Sequence, residues 1–192
     1  MPVIKRYSGV AIAFHWLVAA GIVANVTLAW VWPHLADASV RPAIDTHKSI
    51  GITVLGLAVM RLLWRLTHRP PALPTSYQRW EITASHATHI LLYALIFAMP
   101  LSGWIMDSAW KDAATHPMQL FGLIGWPRIG IVMRLDPATR DHVHDLFGAA
   151  HVWLSYLLYG LFGLHVAGAL KHQWLDREPE LQRMLPGRPY RK

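Results

Sequence analysis

Four histidines stand inside or at the edge of apolar stretches of this 192-residue chain, where an ionisable ring is costly to bury. They are His15 in AIAFHW, His47 in THKSIG, and His151 and His165 at the two ends of HVWLSYLLYGLFGLH. Imidazole is a common ligand for transition metals, and it also exchanges protons near neutral pH. The chemistry open to these residues is therefore metal ligation or proton transfer in an apolar environment.

Charged residues are absent from three long windows, residues 7–36, 82–106 and 146–170. Each window exceeds the run of about 20 apolar residues that crosses a bilayer core of roughly 30 Å. The first crossing is expected to end near Trp32, because Pro33 follows it directly. This first run has no small-residue cleavage site, which indicates a retained span and not a cleaved signal peptide.

A fourth span is predicted in THKSIGITVLGLAVMRLLWRL, although Arg61 interrupts its apolar run. Three spans alone would leave the apolar centre of this segment unexplained. The predicted spans are about 9–32, 46–66, 82–106 and 146–170, with a loop at 107–145 that lies as a lid over the outer side. The predicted fold is all-α, an integral-membrane four-helix bundle that forms one domain over residues 1–192.

The composition and the distribution of charge agree with a membrane protein. The chain is 54% hydrophobic and 15% charged, whereas a soluble domain has about a quarter of its residues charged. Most Lys and Arg residues fall on the side of the termini and of the second connection, so the positive-inside rule places both termini in the cytoplasm. The net charge of +7 then reflects topology and contact with anionic lipid, and no nucleic acid is expected as a partner. The absence of cysteine excludes disulfides, thiolate metal sites and covalent haem attachment.

The depth of each histidine in its span predicts how the four rings pair. His151 and His165 are fourteen residues apart, which in a helix is about 21 Å of rise and nearly four full turns, so both lie on one face. His15 lies near the cytoplasmic start of the first span, at the depth of His165. His47 lies at the outer start of the second span, at the depth of His151. Two bis-imidazole sites stacked across a membrane are what a pair of non-covalent haems requires.

Arg61 is a candidate partner of the inner haem. It follows His47 by fourteen residues and so lies on the same helix face, near the depth of His15 and His165. The charge-free windows contain no carboxylate that could balance it, whereas a haem propionate would. The alternative is that Arg61 extends to the cytoplasmic interface and places its charge in water.

Three further histidines are candidates for a quinone contact or a proton path. His86 and His89, in ASHATHILLY, lie near the cytoplasmic start of the third span, and His172 lies just beyond the fourth. Histidine titrates near neutral pH and could deliver the protons that quinone reduction consumes. His86 and His89 could also compete as ligands of the inner site, and the simpler alternative for all three is a hydrated interfacial position. No catalytic residue is assigned.

The segments AIAFHW, THKSIG, HATHILLYALIFAMPLSGW and GLFGLHVAGAL, in this order, closely resemble the bacterial cytochrome b561 family of four-helix dihaem proteins. The resemblance covers nearly the whole chain. It implies that His15, His47, His151 and His165 bind the irons of two haems b in the bacterial inner membrane. It also implies electron transfer to the quinone pool. Some members are superoxide oxidases, which take electrons from superoxide on the periplasmic side and reduce ubiquinone.

Two other functions fit parts of the pattern. The chain could be a cytochrome subunit that accepts electrons from a partner dehydrogenase or hydrogenase. It could also be a transporter that uses its histidines for protons or metal ions. Transporters usually carry carboxylates within their spans, and none is present in the charge-free windows. Two nitrogen ligands on each iron would leave no open position, which favours electron relay over oxygen activation.

Overall fold

The computed structural model describes residues 6–74 and 76–187. The elements in chain order are α1 (Gly9–Val31), α2 (Asp37–Thr67), α3 (Arg79–Ser108), β1 (Gln119–Leu120), β2 (Ile124–Gly125), α4 (Gly130–Met133), α5 (Pro137–Trp174) and α6 (Glu180–Met184). The helices α1, α2, α3 and α5 are long and apolar enough to cross a membrane. The predicted all-α bundle of four membrane helices is thus confirmed.

Two helices begin well before the predicted spans, because polar sequence can continue a helix beyond the bilayer. α2 begins at Asp37 and α5 at Pro137. At the start of α5, the side chain of Asp136 accepts a hydrogen bond from the backbone N–H of Thr139 at 3.1 Å, and proline occupies the first helical position. Both features favour a helix start. The predicted loop at 107–145 is therefore shorter, and the connection from α3 to α5 comprises residues 109–136.

The starts of α1 and α3 are fixed by side chains in the same way. The hydroxyl of Ser8 accepts a hydrogen bond from the N–H of Ala11 at 3.3 Å. Gln78 and Glu81 form a reciprocal capping box, in which the N–H of Gln78 donates to the Glu81 carboxylate at 2.9 Å. Such caps satisfy backbone donors that have no partner within the helix.

The N-terminal segment, the α2–α3 connection and the C-terminal segment meet at one end of the bundle, which we call the terminal end. The N–H of Tyr7 donates to the carbonyl of Arg183 at 3.2 Å. The buried guanidinium of Arg183 donates to the carbonyls of Pro71 and Ala72 at 3.1 and 2.8 Å. The other two connections lie at the opposite end, the loop end. That the terminal end faces the cytoplasm stays a prediction from the distribution of Lys and Arg.

The bundle consists of two helix pairs, since α1 packs along α2 and α3 packs along α5, with α2 against α3 between them. Val18, Val54, Ala58 and Ile96 form a buried apolar cluster at mid-depth, contributed by α1, α2 and α3. Of the α5 residues, all of which the structure describes, only Leu158 is buried. Dry apolar packing therefore occupies the middle of the bundle, between the levels of the histidines.

Helices α1 and α2 approach each other closely at Gly21. A Cβ atom on Gly21 would lie 2.5 Å from the Cγ2 atom of Val54, which belongs to the buried cluster. Valine is branched at Cβ and has few rotamers in a helix, so it cannot move aside cheaply. Small residues at such contacts allow membrane helices to pack backbone to backbone.

Replacing Gly21 with Ala is expected to lower the stability of the fold by about 1–3 kcal/mol, because the added methyl group overpacks this contact. Gly56→Ala is the matched control, since a Cβ at Gly56 meets nothing within 4 Å. The control should be neutral or stabilising by up to about 1 kcal/mol. Thermal unfolding in detergent, followed by tryptophan fluorescence, measures both variants. Equal midpoints for the two would contradict the close packing of α1 and α2.

Candidate functional site

The four histidines form two facing pairs inside the bundle. At the terminal end, the ring centres of His15 on α1 and His165 on α5 are 6.2 Å apart, with the ring planes at 68°. At the loop end, the ring centres of His47 on α2 and His151 on α5 are also 6.2 Å apart, at 71°. We call these the terminal pair and the loop pair. They are the two pairings expected from the depths of the residues in their spans.

The spacing of the rings fits a metal ion between them. A metal–imidazole bond of about 2 Å, plus roughly 1 Å from nitrogen to ring centre, puts two ligands on opposite sides of one ion about 6 Å apart, centre to centre. Each pair takes one ring from α5 and one from the α1–α2 helix pair. The donor set at each end is thus two neutral nitrogen ligands that face each other across the gap between the helix pairs.

Hydrogen bonds orient both rings of the loop pair. Nδ1 of His47 lies 3.2 Å from the carbonyl oxygen of Asn25, and Nδ1 of His151 lies 3.0 Å from Oγ of Ser102. The Ser102 hydroxyl donates to the carbonyl of Met99 at 2.8 Å, so it accepts from His151. Both Nδ1 atoms therefore carry hydrogen, and both Nε2 atoms keep a free lone pair. This is how metal-binding histidines are usually held.

The sequence reasoning missed Asn25 and Ser102, and it also missed the role of Gly103. A Cβ atom on Gly103 would lie 3.3 Å from Cε1 of His151, so the glycine leaves room for the ring. The hydroxyl of Ser102 was the available signal for His151, whereas Asn25 acts through its backbone carbonyl, which leaves no signal in the sequence. The role of Ser102 was not predictable, because the facing of α3 toward α5 is not visible in the sequence.

The terminal pair has a different environment. Nδ1 of His15 is buried and has no hydrogen-bond partner within the part of the chain that the structure describes. The ring of His89 lies edge-on to the ring of His165, with centres 5.3 Å apart. A third imidazole therefore stands beside this pair. His86, by contrast, is exposed on the same helix.

His172 lies in an ionic cluster at the terminal end, away from the histidine pairs. Its Nδ1 atom is 2.6 Å from Oδ2 of Asp176, and its ring stacks on Tyr77 at 4.1 Å. The ammonium of Lys171 donates to the carboxylates of both Asp176 and Glu81. The hydrogen bond from Lys171 lowers the pKa of Asp176. Glu81, His172 and Asp176 are close enough to share a metal ion, but Lys171 already supplies the positive charge there.

Arg61 is placed close to the terminal pair. Its guanidinium is half-buried 5.2 Å from the ring centre of Tyr93, and the guanidinium of Arg65 lies 5.3 Å from the same ring. Its charge acts on both His15 and His165. No carboxylate pairs with Arg61 in residues 6–74 and 76–187. An anion bound beside the terminal pair would meet this charge.

The α3–α5 connection is clamped beside the loop pair by a buried carboxylate. Asp107 pairs with Lys48 at 2.9 Å and with Arg128 at 2.8 Å, and Lys48 directly follows His47 in α2. The carboxylate and the guanidinium are both almost fully buried. Buried charges of this kind depend on each other, because removing one leaves the others uncompensated.

A second clamp joins the same connection to α2. The hydroxyl of Ser49 accepts a hydrogen bond from the N–H of Phe121 at 2.9 Å and lies 3.3 Å from the carbonyl of Gln119. Phe121 has a positive φ of 52° and stands in the turn between β1 and β2. The short hairpin is thus held against α2 close to the level of the loop pair.

Asp107→Asn is expected to loosen the α3–α5 connection, because Lys48 and Arg128 lose the anion that holds them. Breaking a buried ion pair costs about 3–5 kcal/mol. Limited proteolysis with trypsin should cut faster after Lys111, which is exposed in this connection. Asp141→Asn, at an exposed carboxylate of α5, is the control and should leave the cleavage rate unchanged. Equal cleavage of the two variants would contradict the clamp.

A four-helix membrane bundle with facing imidazole pairs at two depths has the architecture of a membrane cytochrome. The family model described as prokaryotic cytochrome b561 matches residues 6–187. The chain therefore belongs to the prokaryotic cytochrome b561 family. It is a multi-pass electron-transfer protein of the bacterial inner membrane, and its cofactor class is haem b.

Curated relatives agree with this assignment. The chain is 34% identical over 184 residues to cytochrome b561 homolog 2 of Escherichia coli (strain K12). The matched region covers 94% of this chain and 92% of that protein. It is 26% identical over 186 residues to a probable superoxide oxidase, CybB, of Yersinia pestis, covering 95% and 97% of the two chains. Cytochrome b561 homolog 1 of the same E. coli strain is 23% identical, covering 96% and 99%. Membership of a cytochrome family leaves the transporter alternative without support.

Proposed function

We propose that this cytochrome carries electrons across the membrane through two haems b, one held by His15 and His165 and the other by His47 and His151. The main support for this proposal is that the ring centres are 6.2 Å apart in both pairs, with one pair at each end of the bundle. Haem b supplies reversible one-electron chemistry when it is bound. Two histidines would hold each iron, and such a site would supply electron relay.

The surrounding residues have the roles that electron relay requires. The backbone carbonyl of Asn25 and the hydroxyl of Ser102 hold the rings of the loop pair through Nδ1, which leaves Nε2 of each ring available. The apolar cluster at mid-depth, to which Val18, Val54 and Ile96 contribute, excludes water from the region between the two levels. Rings that are held in place and an apolar interior would keep structural rearrangement small when an electron arrives or leaves.

Arg61 is proposed to pair with a propionate of the haem at the terminal end. Its half-buried guanidinium has no carboxylate partner among the described residues, and its charge acts on both rings of the terminal pair. His89 is the competing assignment at this end, because its ring lies 5.3 Å from that of His165. We assign ligation to His15, since it faces His165 at the separation that a shared metal ion requires.

Haem content tests the ligand assignment. His15→Ala and His47→Ala should each lose one of two haems per chain, because each removes one of the two histidines that would hold a different haem. The pyridine haemochrome assay on purified protein measures haem per chain. His86→Ala and His172→Ala are controls that should retain both haems. If His89→Ala loses a haem while His15→Ala retains both, the assignment at the terminal end is wrong.

We further propose that superoxide is the electron donor at the loop end and ubiquinone the acceptor at the terminal end. Two superoxide anions each lose one electron and become dioxygen, and one ubiquinone takes up the two electrons and two protons to become ubiquinol. The name of the Yersinia pestis relative, a probable superoxide oxidase, supports this reading. A protein donor, such as a partner dehydrogenase or hydrogenase, is the alternative source of electrons.

Among the basic residues that α2 and α5 contribute at the loop end, Arg140 is the cation that could attract superoxide to the loop pair. Arg41 is engaged by Asp45 at 3.1 Å, and Lys48 is engaged by both Asp45 and Asp107. Arg140 is half-buried on α5, and its Nε atom has no partner within the described ranges. It precedes His151 by eleven residues, about three turns, and therefore lies on the same helix face.

At the terminal end, the predicted quinone and proton contacts occupy different surroundings. His89 lies beside His165 and is the candidate contact for the quinone head group. The exposed His86 and the cluster around His172 are the candidates for proton entry from solvent. These roles rest on the proposal that ubiquinone is reduced at this end.

Superoxide-driven reduction of ubiquinone by the purified protein tests the donor. Arg140→Gln should lower the rate several-fold at low salt and weaken its dependence on ionic strength, since local charge speeds the arrival of an anion. Arg41→Gln is the matched control, because Arg41 is already paired with Asp45. A haem-loaded protein that reduces no ubiquinone with superoxide would exclude this donor and favour a partner dehydrogenase or hydrogenase.

A further inference from the structure

A cavity of about 680 Å³ opens at the terminal end, between the start of α1, the end of α2 and the α2–α3 connection. Its basic lining residues are Arg6, Arg61, Arg65 and Arg69. Tyr7, Trp64 and Tyr93 add aromatic walls, and Met184 of α6 closes one side. No acidic residue of the described ranges lines it. The cavity is therefore strongly positive.

The arginines of this cavity are not neutralised by the protein. Arg61 and Arg65 contact the same Tyr93 ring, so two positive charges lie close together. Arg6 donates to the backbone carbonyls of Leu185 and Gly187, which carry no net charge. Within residues 6–74 and 76–187, none of the four pairs with a carboxylate. Arg61 is the proposed partner of a haem propionate, which leaves Arg6, Arg65 and Arg69 without an anion. Like charges that lie close together repel each other, and a bound anion would remove this cost.

An apolar groove of about 450 Å³ borders the cavity and is lined by residues of α1 and of the end of α2. Its apolar walls include Val10 and Phe14 on α1 and Met60 and Leu63 on α2, and it shares Trp64, Thr67 and His68 with the cavity. Met60 and Leu63 are 53% and 54% exposed, as expected for side chains that face lipid tails. The charged cavity and the apolar groove are thus neighbours that share three lining residues.

We propose that the cavity and the groove together bind one anionic phospholipid. The phosphate lies among Arg6, Arg65 and Arg69 at the rim of the cavity, and an acyl chain lies in the groove between α1 and α2. Clusters of basic residues at the ends of membrane helices recognise such head groups. A quinone is the other amphipathic candidate for the groove, but its neutral head group would leave the arginine charges uncompensated. The site contains none of the four histidines proposed as haem ligands, and Arg61, the proposed propionate partner, is the one residue that it shares with the haem proposal.

The bound lipid would join parts of the chain that are distant in sequence. Arg6 belongs to the N-terminal segment, Arg65 to the end of α2 and Arg69 to the α2–α3 connection. Arg6 is also bonded to the C-terminal segment through the carbonyls of Leu185 and Gly187. The lipid therefore acts as a structural ligand that stabilises the terminal end.

Lipid binding to delipidated, haem-loaded protein in detergent tests this site. Native mass spectrometry compares four additions: phosphatidylglycerol, phosphatidylcholine, glycerol 3-phosphate and decylubiquinone. We expect retained phosphatidylglycerol on the wild-type protein and a higher unfolding temperature, with little effect of the other three. The double variant Arg65→Gln, Arg69→Gln should bind phosphatidylglycerol about thirtyfold more weakly, because two cations are lost.

Arg79→Gln is the matched control, because Arg79 is an exposed arginine at the same end that does not line the cavity. It should bind phosphatidylglycerol as the wild type does, and all variants should keep their haem content. If the double variant does not fold, the exposed Arg69→Gln alone carries the comparison.

Three results would overturn the proposal. Equal retention of phosphatidylcholine would show that head-group charge is not recognised. Equal binding of glycerol 3-phosphate would indicate a site for a soluble anion. Displacement of the phospholipid by decylubiquinone at equal concentration would make this a quinone site.

Discussion

The structure depends on the facing of imidazole rings across the gap between two helix pairs. Each ring belongs to a pair, and the second ring of the pair must lie at the same depth on a different helix. His15 with His165 and His47 with His151 satisfy this constraint at both ends, with ring centres 6.2 Å apart. The helix α5 supplies both rings on one face, so its long regular course sets the separation of the two sites.

The remainder of the bundle can be understood as support for these two levels. The apolar cluster around Val18 and Val54 closes the middle, where polar groups would be costly. The ends carry the charges. Asp107 holds the α3–α5 connection at the loop end, while the terminal end combines an ionic cluster around Lys171 with a separate cavity lined by unpaired arginines. Each end therefore has its own electrostatic character, which suits an electron carrier whose reaction partners differ on the two sides of the membrane.

The two histidine pairs differ in the hydrogen bonds that orient their rings. His47 and His151 are held through Nδ1 by Asn25 and Ser102, whereas the buried Nδ1 of His15 has no partner among the described residues. The terminal pair instead has the ring of His89 beside His165, and it lies within reach of the positive charge of Arg61. The two pairs consist of the same ring types but have different surroundings. Hydrogen bonds to the rings and nearby charge would tune a haem held by each pair differently.

The four membrane helices and the depth of each histidine can be predicted from the amino-acid sequence. Both follow from local properties, namely the length of an apolar run and the fixed rise of a helix per residue. The helices α2 and α5 are longer than their predicted spans, because a helix continues into polar sequence where a cap such as Asp136 allows it. Three features emerge only from the packing of the helices: which residues orient the rings, that His89 and not His172 lies beside His165, and that four arginines line one cavity next to an apolar groove. These facts depend on how helices are rotated against each other, and that rotation is set by contacts such as Gly21 on Val54 that join residues far apart in the chain.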